Sequence, residues 1–257
     1  MNNTKRINNR IAQSIWFDLF GVALVIIGCI LSGYLTEMLS DLPLFAHITW
    51  AKFIPFGVIS IISSIMSLMS TRLTGRLNNV GNWLGIINVI VAGTIDGCLG
   101  NKAAWLTYPV SFIIYTFALK KWMSMHKDEV TKPLTGVKAI IVMTSITVVT
   151  LLFSFITNWM GWGFDKSALT GNQALLFWLL VVIFGLSMTA NILNAMKLTV
   201  QWQFWGVYNI LQLIKAFVQG NFANLGKYLY YIINAICCHT FWSEAPKTSN
   251  NHTLVRA

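Results

Sequence analysis

The chain has 257 residues, of which 56% are hydrophobic and only 10% charged, and its formal net charge is +10. A soluble domain carries about 25% charged residues, so a water-soluble globular enzyme is excluded and a chain that crosses a bilayer several times is expected. The basic excess does not mark a nucleic-acid binder, because the lysines and arginines fall in loops beside apolar runs.

A crossing helix needs roughly 20 apolar residues, and eight segments can be read: about 14–34, 53–71, 80–98, 104–119, 138–158, 173–193, 201–219 and 228–243. Residues 1–13 are a polar, basic tail. The apolar run after it is long and no small-x-small site follows, so a cleavable signal peptide is not expected. The first span opens on Trp16 and Phe17, with Asp18 near the entrance in an expected structural role. The loop 35–52 carries Glu37 and Asp41 and has room for an amphipathic or re-entrant piece. Ser60, Ser63, Ser64 and Ser67 of the second span predict close helix packing. The third span holds Trp83, Gly85 and Asn88 and runs out at Asp96. The fourth holds Tyr108, Ser111 and Tyr115, and Pro109 predicts a kink or a weakened turn.

The segment 120–137 is the most charged and reads as a linker. A connector span follows, and Trp159-Met160-Gly161-Trp162-Gly163 reads as an interfacial turn. The sixth span ends near Asn191 and Asn194. The seventh opens on Gln201-Trp202-Gln203-Phe204-Trp205-Gly206-Val207-Tyr208-Asn209. The eighth opens on Lys227-Tyr228-Leu229-Tyr230-Tyr231, contains Asn234, and leads into a polar tail from Ser243. Cys29, Cys98, Cys237 and Cys238 all fall inside spans without metal-ligand spacing, so they read as buried thiols.

With the amino terminus inside, the outer side holds only Lys52, Lys102, Lys166, Lys215 and Lys227 of the 18 basic residues. This asymmetry follows the positive-inside rule and places both termini in the cytoplasm, as an even number of spans requires.

The chain contains an internal repeat. Gly85-Ile86-Ile87-Asn88 pairs with Gly206-Val207-Tyr208-Asn209 at an offset of 121, and Trp122 falls near Trp242 at almost the same offset. The expected architecture is all-α and polytopic: one extra helix, three, one connector and three again, with the triplets in parallel orientation. Its parts are a tail, extra helix and outer loop (1–52), a first triplet (53–122), a linker and connector (123–172), a second triplet (173–243) and a carboxyl tail (244–257). Such repeats place the substrate site near the midplane between the halves.

In the seventh span, Trp202, Trp205 and Asn209 stand at i, i+3 and i+7 on one helix face, which Gln212 continues. An amide in hydrocarbon costs free energy unless it is paired or faces a cavity. Aromatic planes beside amides suit a flat, polar, ring-bearing molecule. The plainer readings are interhelical hydrogen bonding for Asn88 and Asn209, interfacial anchoring for Trp202, Tyr228 and Tyr230, and snorkelling for Lys215. The spans carry no paired carboxylates, His cluster, His-Glu-x-x-His or Gly-x-Ser-x-Gly, so an enzyme is not expected.

These motifs resemble the PnuC family of vitamin-precursor transporters. The family pattern of Asn-Trp followed by Gly-x-x-Asn is similar to Asn82-Trp83-Leu84-Gly85-Ile86-Ile87-Asn88. Its Trp-x-x-Trp-x-x-x-Asn matches Trp202, Trp205 and Asn209, its Tyr-x-x-Tyr matches Tyr228 and Tyr231, and its closing tryptophan matches Trp242. The resemblance covers about residues 53–243 and departs from the commoner seven-helix plan by the span at 14–34. It implies a SWEET-like arrangement in a bacterial inner membrane, without cofactor, and a homo-oligomer such as a trimer. It also implies uptake of nicotinamide riboside by facilitated diffusion, with thiamine as the rival substrate. The site it implies is Trp202, Trp205, Asn209, Asn88, Gln201, Tyr228, Tyr231 and Gln212, with the indoles facing the pyridinium and the amides bonding its carboxamide or ribose.

Overall fold

The computed structural model describes residues 3–98, 104–160, 172–218 and 224–248. Lys102, Lys166 and the turn residues 161–163 lie outside them. The described helices are α1 (Asn3–Gln13), α2 (Ile15–Leu31), α3 (Phe56–Gly75), α4 (Val80–Cys98), α5 (Ala104–Met123), α6 (Gly136–Trp159), α7 (Asn172–Ala195), α8 (Gln201–Val218) and α9 (Leu225–Glu244). Each of the eight expected spans holds one of α2 to α9. Among the described residues, α3, α4, α6 and most of α7 are long and apolar enough to cross a membrane by themselves. The helices α5, α8 and α9 are of similar length but carry the polar residues of the central cavity described below. No break appears at Pro109, which sits inside the single helix α5.

The amino-terminal segment is not a loose tail but the helix α1, bent 63° from α2. Ser14 sets the break: its hydroxyl accepts from the Phe17 amide at 3.3 Å and caps α2. The last carbonyls of α1, left without helical partners, are taken by an arginine. Nη2 of Arg72, a residue of α3 with 0% exposure, donates to the carbonyls of Ile11 (3.0 Å), Ala12 (2.9 Å) and Ser14 (3.3 Å). Its Nε donates to Asp18 at 2.5 Å and its Nη1 to Asn234 of α9, also at 2.5 Å. Arg76 holds the other Asp18 oxygen. A buried ion pair is tolerable only when its remaining donors and acceptors are satisfied, and here one guanidinium ties α1, α2, α3 and α9 together. Asp18 is thus structural, as expected from its position.

The repeat is visible in the backbone. α3 and α7 end in the same Schellman turn, with a left-handed residue at Leu77 (φ 59°) in one and at Lys197 (φ 55°) in the other. The amide of Asn78 bonds the Leu73 carbonyl at 2.9 Å, and that of Leu198 bonds the Leu193 carbonyl at 3.1 Å. The amides of Leu77 and Lys197 bond the carbonyls of Thr74 (3.0 Å) and Asn194 (2.8 Å). Every pair is offset by 120 residues. The offset recurs at the ends of α5 and α9, where each unit reaches across to the other. The Trp122 indole donates to the Asn194 carbonyl at 2.8 Å, and the Trp242 indole donates to the Gly75 carbonyl at 2.9 Å. Asn194 of α7 also donates to Asn82 of α4 at 2.9 Å.

These turns define one end of the bundle, called here the linker end because the segment between α5 and α6 folds over it. Strand β1 (Val130–Thr131) pairs in parallel with β2 (Lys247–Thr248), so this part of the polar carboxyl tail is anchored. Lys197, 1% exposed, donates to the carbonyls of His126 (2.9 Å) and Lys127 (3.2 Å) and lies 4.9 Å from the Trp122 ring centroid. Burial lowers its pKa to about 8, against the opposing pull of Asp128 and Glu129.

Candidate functional site

Between the two three-helix units lies a cavity of about 690 Å³, walled by residues of α3 to α9. Ser60, Ser63, Ser64 and Ser67 line it from α3, because positions at i, i+3, i+4 and i+7 share one helix face. Instead of packing only helix against helix, that stripe faces the cavity. Ser63 donates to Asn88 Oδ1 at 2.9 Å, so Asn88 both bridges α3 to α4 and lines the cavity. The glycines of α4 make room for the phenols of α5. A Cβ at Gly93 would stand 2.8 Å from the Tyr108 ring, and one at Gly85 would run into Tyr115. Tyr108 in turn donates to Asp96 at 2.5 Å.

The second unit supplies the wall from α8 and α9. Trp205 and Tyr208 meet edge to face, with centroids 5.2 Å apart at 90°. Asn209 donates to the Trp205 carbonyl at 2.7 Å. Gln212 donates from Nε2 to the Tyr208 hydroxyl at 2.8 Å, while its buried Oε1 has no protein partner. Tyr228 and Tyr231 complete the wall, the latter hydrogen-bonded to Ser67 across the units. Lys215 and Lys227 line the end of the cavity away from the linker. Lys215 therefore points inward, where the sequence had suggested outward snorkelling.

Of the residues singled out from the sequence, the cavity brings together Trp205, Asn209, Asn88, Tyr228, Tyr231 and Gln212. It does not take in Trp202 or Gln201. Trp202, 2% exposed, sits one turn nearer the linker end, in a buried cluster with Leu77, Trp122, Val130, Ala235, Cys238 and Trp242. Its ring meets Trp242 at 5.8 Å and 76°, so it is not an interfacial anchor either. The side chain of Gln201 is 0% exposed, and neither polar atom has a protein partner. Tyr230, read from the sequence as an interfacial anchor, is instead 2% exposed and stacks on Phe17 of α2 at 4.4 Å. The sequence reading passed over Tyr108, Tyr115 and Tyr208. The 120-residue offset between Tyr108 and Tyr228 was the available signal for the first, and the shared face with Trp205 and Gln212 for the last.

A family model described as "Nicotinamide mononucleotide transporter" matches residues 57–244, the run from α3 to α9. The chain belongs to this family. No curated protein matches it. A solved structure titled "Crystal structure of the Vitamin B3 transporter PnuC" superposes with a TM-score of 0.59 at 16% identity, covering 90% of this chain and 91% of that one. The fold is thus that of a polytopic, all-α membrane transporter of the PnuC type, and α1 and α2 precede the region that the family model covers.

Proposed function

We propose that this transporter carries nicotinamide riboside by facilitated diffusion, opening the cavity alternately to the two sides of a bacterial inner membrane. The observation that carries the reading is the α8 wall: an indole and a phenol meeting edge to face, with the unpartnered Gln212 Oε1 on the same helix face. A cationic ring gains about 0.5–2 kcal/mol against an indole face, which suits the pyridinium at Trp205. Asn88, Asn209 and Gln212 hydrogen-bond the carboxamide and ribose, and Tyr228 and Tyr231 close over them. Neutral amides and rings bind moderately, as a passive carrier needs for release.

The linker end faces the cytoplasm, with both termini inside. The units 53–122 and 173–243 rock against each other about the cavity. The tryptophan cluster of residues 122, 202 and 242 seals the inner end, and it parts to let the substrate pass Trp202 and Gln201. Uptake of labelled nicotinamide riboside into proteoliposomes without a sodium or proton gradient tests this. Strict dependence on either ion would sink the uniport, and thiamine uptake unaffected by nicotinamide riboside would reassign the substrate.

A further inference from the structure

The charges on the cavity wall are unbalanced. Among the described residues it carries two ammonium groups, Lys215 on α8 and Lys227 on α9, against one carboxylate, Asp96. The two lysines lie close enough to repel each other. Asp96 faces Lys215 but is also bound by the Tyr108 hydroxyl at 2.5 Å. The described ion pairs of Asp18 lie with Arg72 and Arg76 at the linker end, and neither lysine forms a salt bridge with a described carboxylate. The partner of Lys227 is instead a ring, that of Tyr228, 5.3 Å from its Nζ. Cations held together in a partly desolvated cavity carry a cost that a bound anion removes.

Position gives the charge a direction. Along one face of α8 stand Trp205, Tyr208, Gln212 and then Lys215. At a rise of about 1.5 Å per residue, Lys215 lies roughly 15 Å along the axis from Trp205 and about 4.5 Å beyond Gln212. The neighbouring α9 runs the other way and sets Lys227 about 6 Å beyond Tyr231, at the same end. The wall thus runs from aromatic rings, through an unpartnered acceptor, to paired cations.

We propose that Lys215 and Lys227 form an anion subsite at the outer end of the cavity, which takes a phosphate or carboxylate at the end of the ligand remote from its ring. The anion is either part of the transported molecule, as in a nucleoside phosphate ester, or a free inorganic ion bound beside a nucleoside. The inference rests on the reading of the cavity as the substrate site. It also explains the asymmetry between the units, since the residues that match the two lysines in the first unit, at offsets of 121 for α4 against α8 and 120 for α5 against α9, are Thr94 and Thr107.

The test is binding to the purified full chain, measured by titration calorimetry with nicotinamide riboside and with its 5′-phosphate, in a zwitterionic buffer of low ionic strength and in the same buffer with added inorganic phosphate or chloride. The wild type is expected to bind the phosphate ester. Lys215→Met and Lys227→Met should each weaken it by roughly tenfold or more while leaving the riboside within about threefold. Lys215→Arg should restore most of the loss, which separates charge from folding. If riboside binding tightens with added phosphate or chloride, and the lysine variants abolish that gain, the anion is a free one and the subsite stands. Equal binding of the ester by wild type and both variants, with no anion effect on the riboside, overturns the subsite and leaves the riboside reading intact. If Trp205→Ala binds both ligands as the wild type does, the cavity reading falls instead.

Discussion

The turn closing α3 and the turn closing α7 have the same geometry, and each unit locks to the other through one tryptophan, yet the two units bring different chemistry to the cavity. The first contributes serines, Asn88, Asp96 and two phenols bedded on glycines. The second contributes the indole, three phenols, the amides of Asn191, Asn209 and Gln212, and both lysines. Backbone closure at the linker end needs only a left-handed residue and a buried indole, which each unit supplies equally. Binding needs a defined order of groups along one helix, and α8 alone supplies it. A twofold scaffold can therefore carry a one-sided site.

The largest break in the symmetry lies outside the cavity. Arg72 corresponds to Ile192 at the 120-residue offset, so the guanidinium that holds α1 and α2 against α3 and α9 has no counterpart on α7. Arg72→Leu removes the donor to three carbonyls, Asp18 and Asn234. It is expected to cost about 3–5 kcal/mol in denaturant unfolding, whereas a loss under 1 kcal/mol would show the network to be incidental. Next in size is the ring wall. Trp205→Ala should weaken nicotinamide riboside binding by about tenfold or more, and calorimetry would show it. Asn209→Ala and Asn88→Ala should each cost about 3- to 10-fold, the worth of one hydrogen bond, with the larger loss at Asn209 if the site is one-sided.

How far the sequence revealed this division depends on range. The eight spans were legible because hydrocarbon length imposes a count of apolar residues. The helix boundaries of α4 and α8 fell almost where the pattern ends. The wall of α8 was legible as a helix face, which is local. Trp202 shares that face with Trp205, but whether it meets the cavity depends on how far down the bundle Trp242 and Leu77 converge, and no local spacing encodes that. Lys215 and Lys227 were read as solvated ends for the same reason: their direction is set by neighbours on other helices. The docking of α1 was hidden because its partners, Arg72, Thr240 and Glu244, lie more than 50 residues away in the chain.

Smaller effects test the locks. Trp122→Phe and Trp242→Phe each remove one indole donor, and the repeat predicts nearly equal losses of about 1 kcal/mol in thermal unfolding. A much larger loss at one would show that the two seams are not equivalent. The smallest effect is at Lys197, whose pKa falls to about 8 on burial. A lysine with a lowered folded-state pKa binds fewer protons than the unfolded chain between pH 8 and its ordinary value near 10.5. Its contribution to stability should therefore rise with pH across that window, by a few degrees of Tm at most, and Lys197→Met should flatten the profile.

The most direct test is counterflow of labelled nicotinamide riboside in proteoliposomes preloaded with unlabelled compound and free of ion gradients. The account predicts transient accumulation with the wild type, and its loss with Trp205→Ala and Asn209→Ala in folded protein. Absence of exchange in the wild type, or unchanged exchange in both variants, would contradict it.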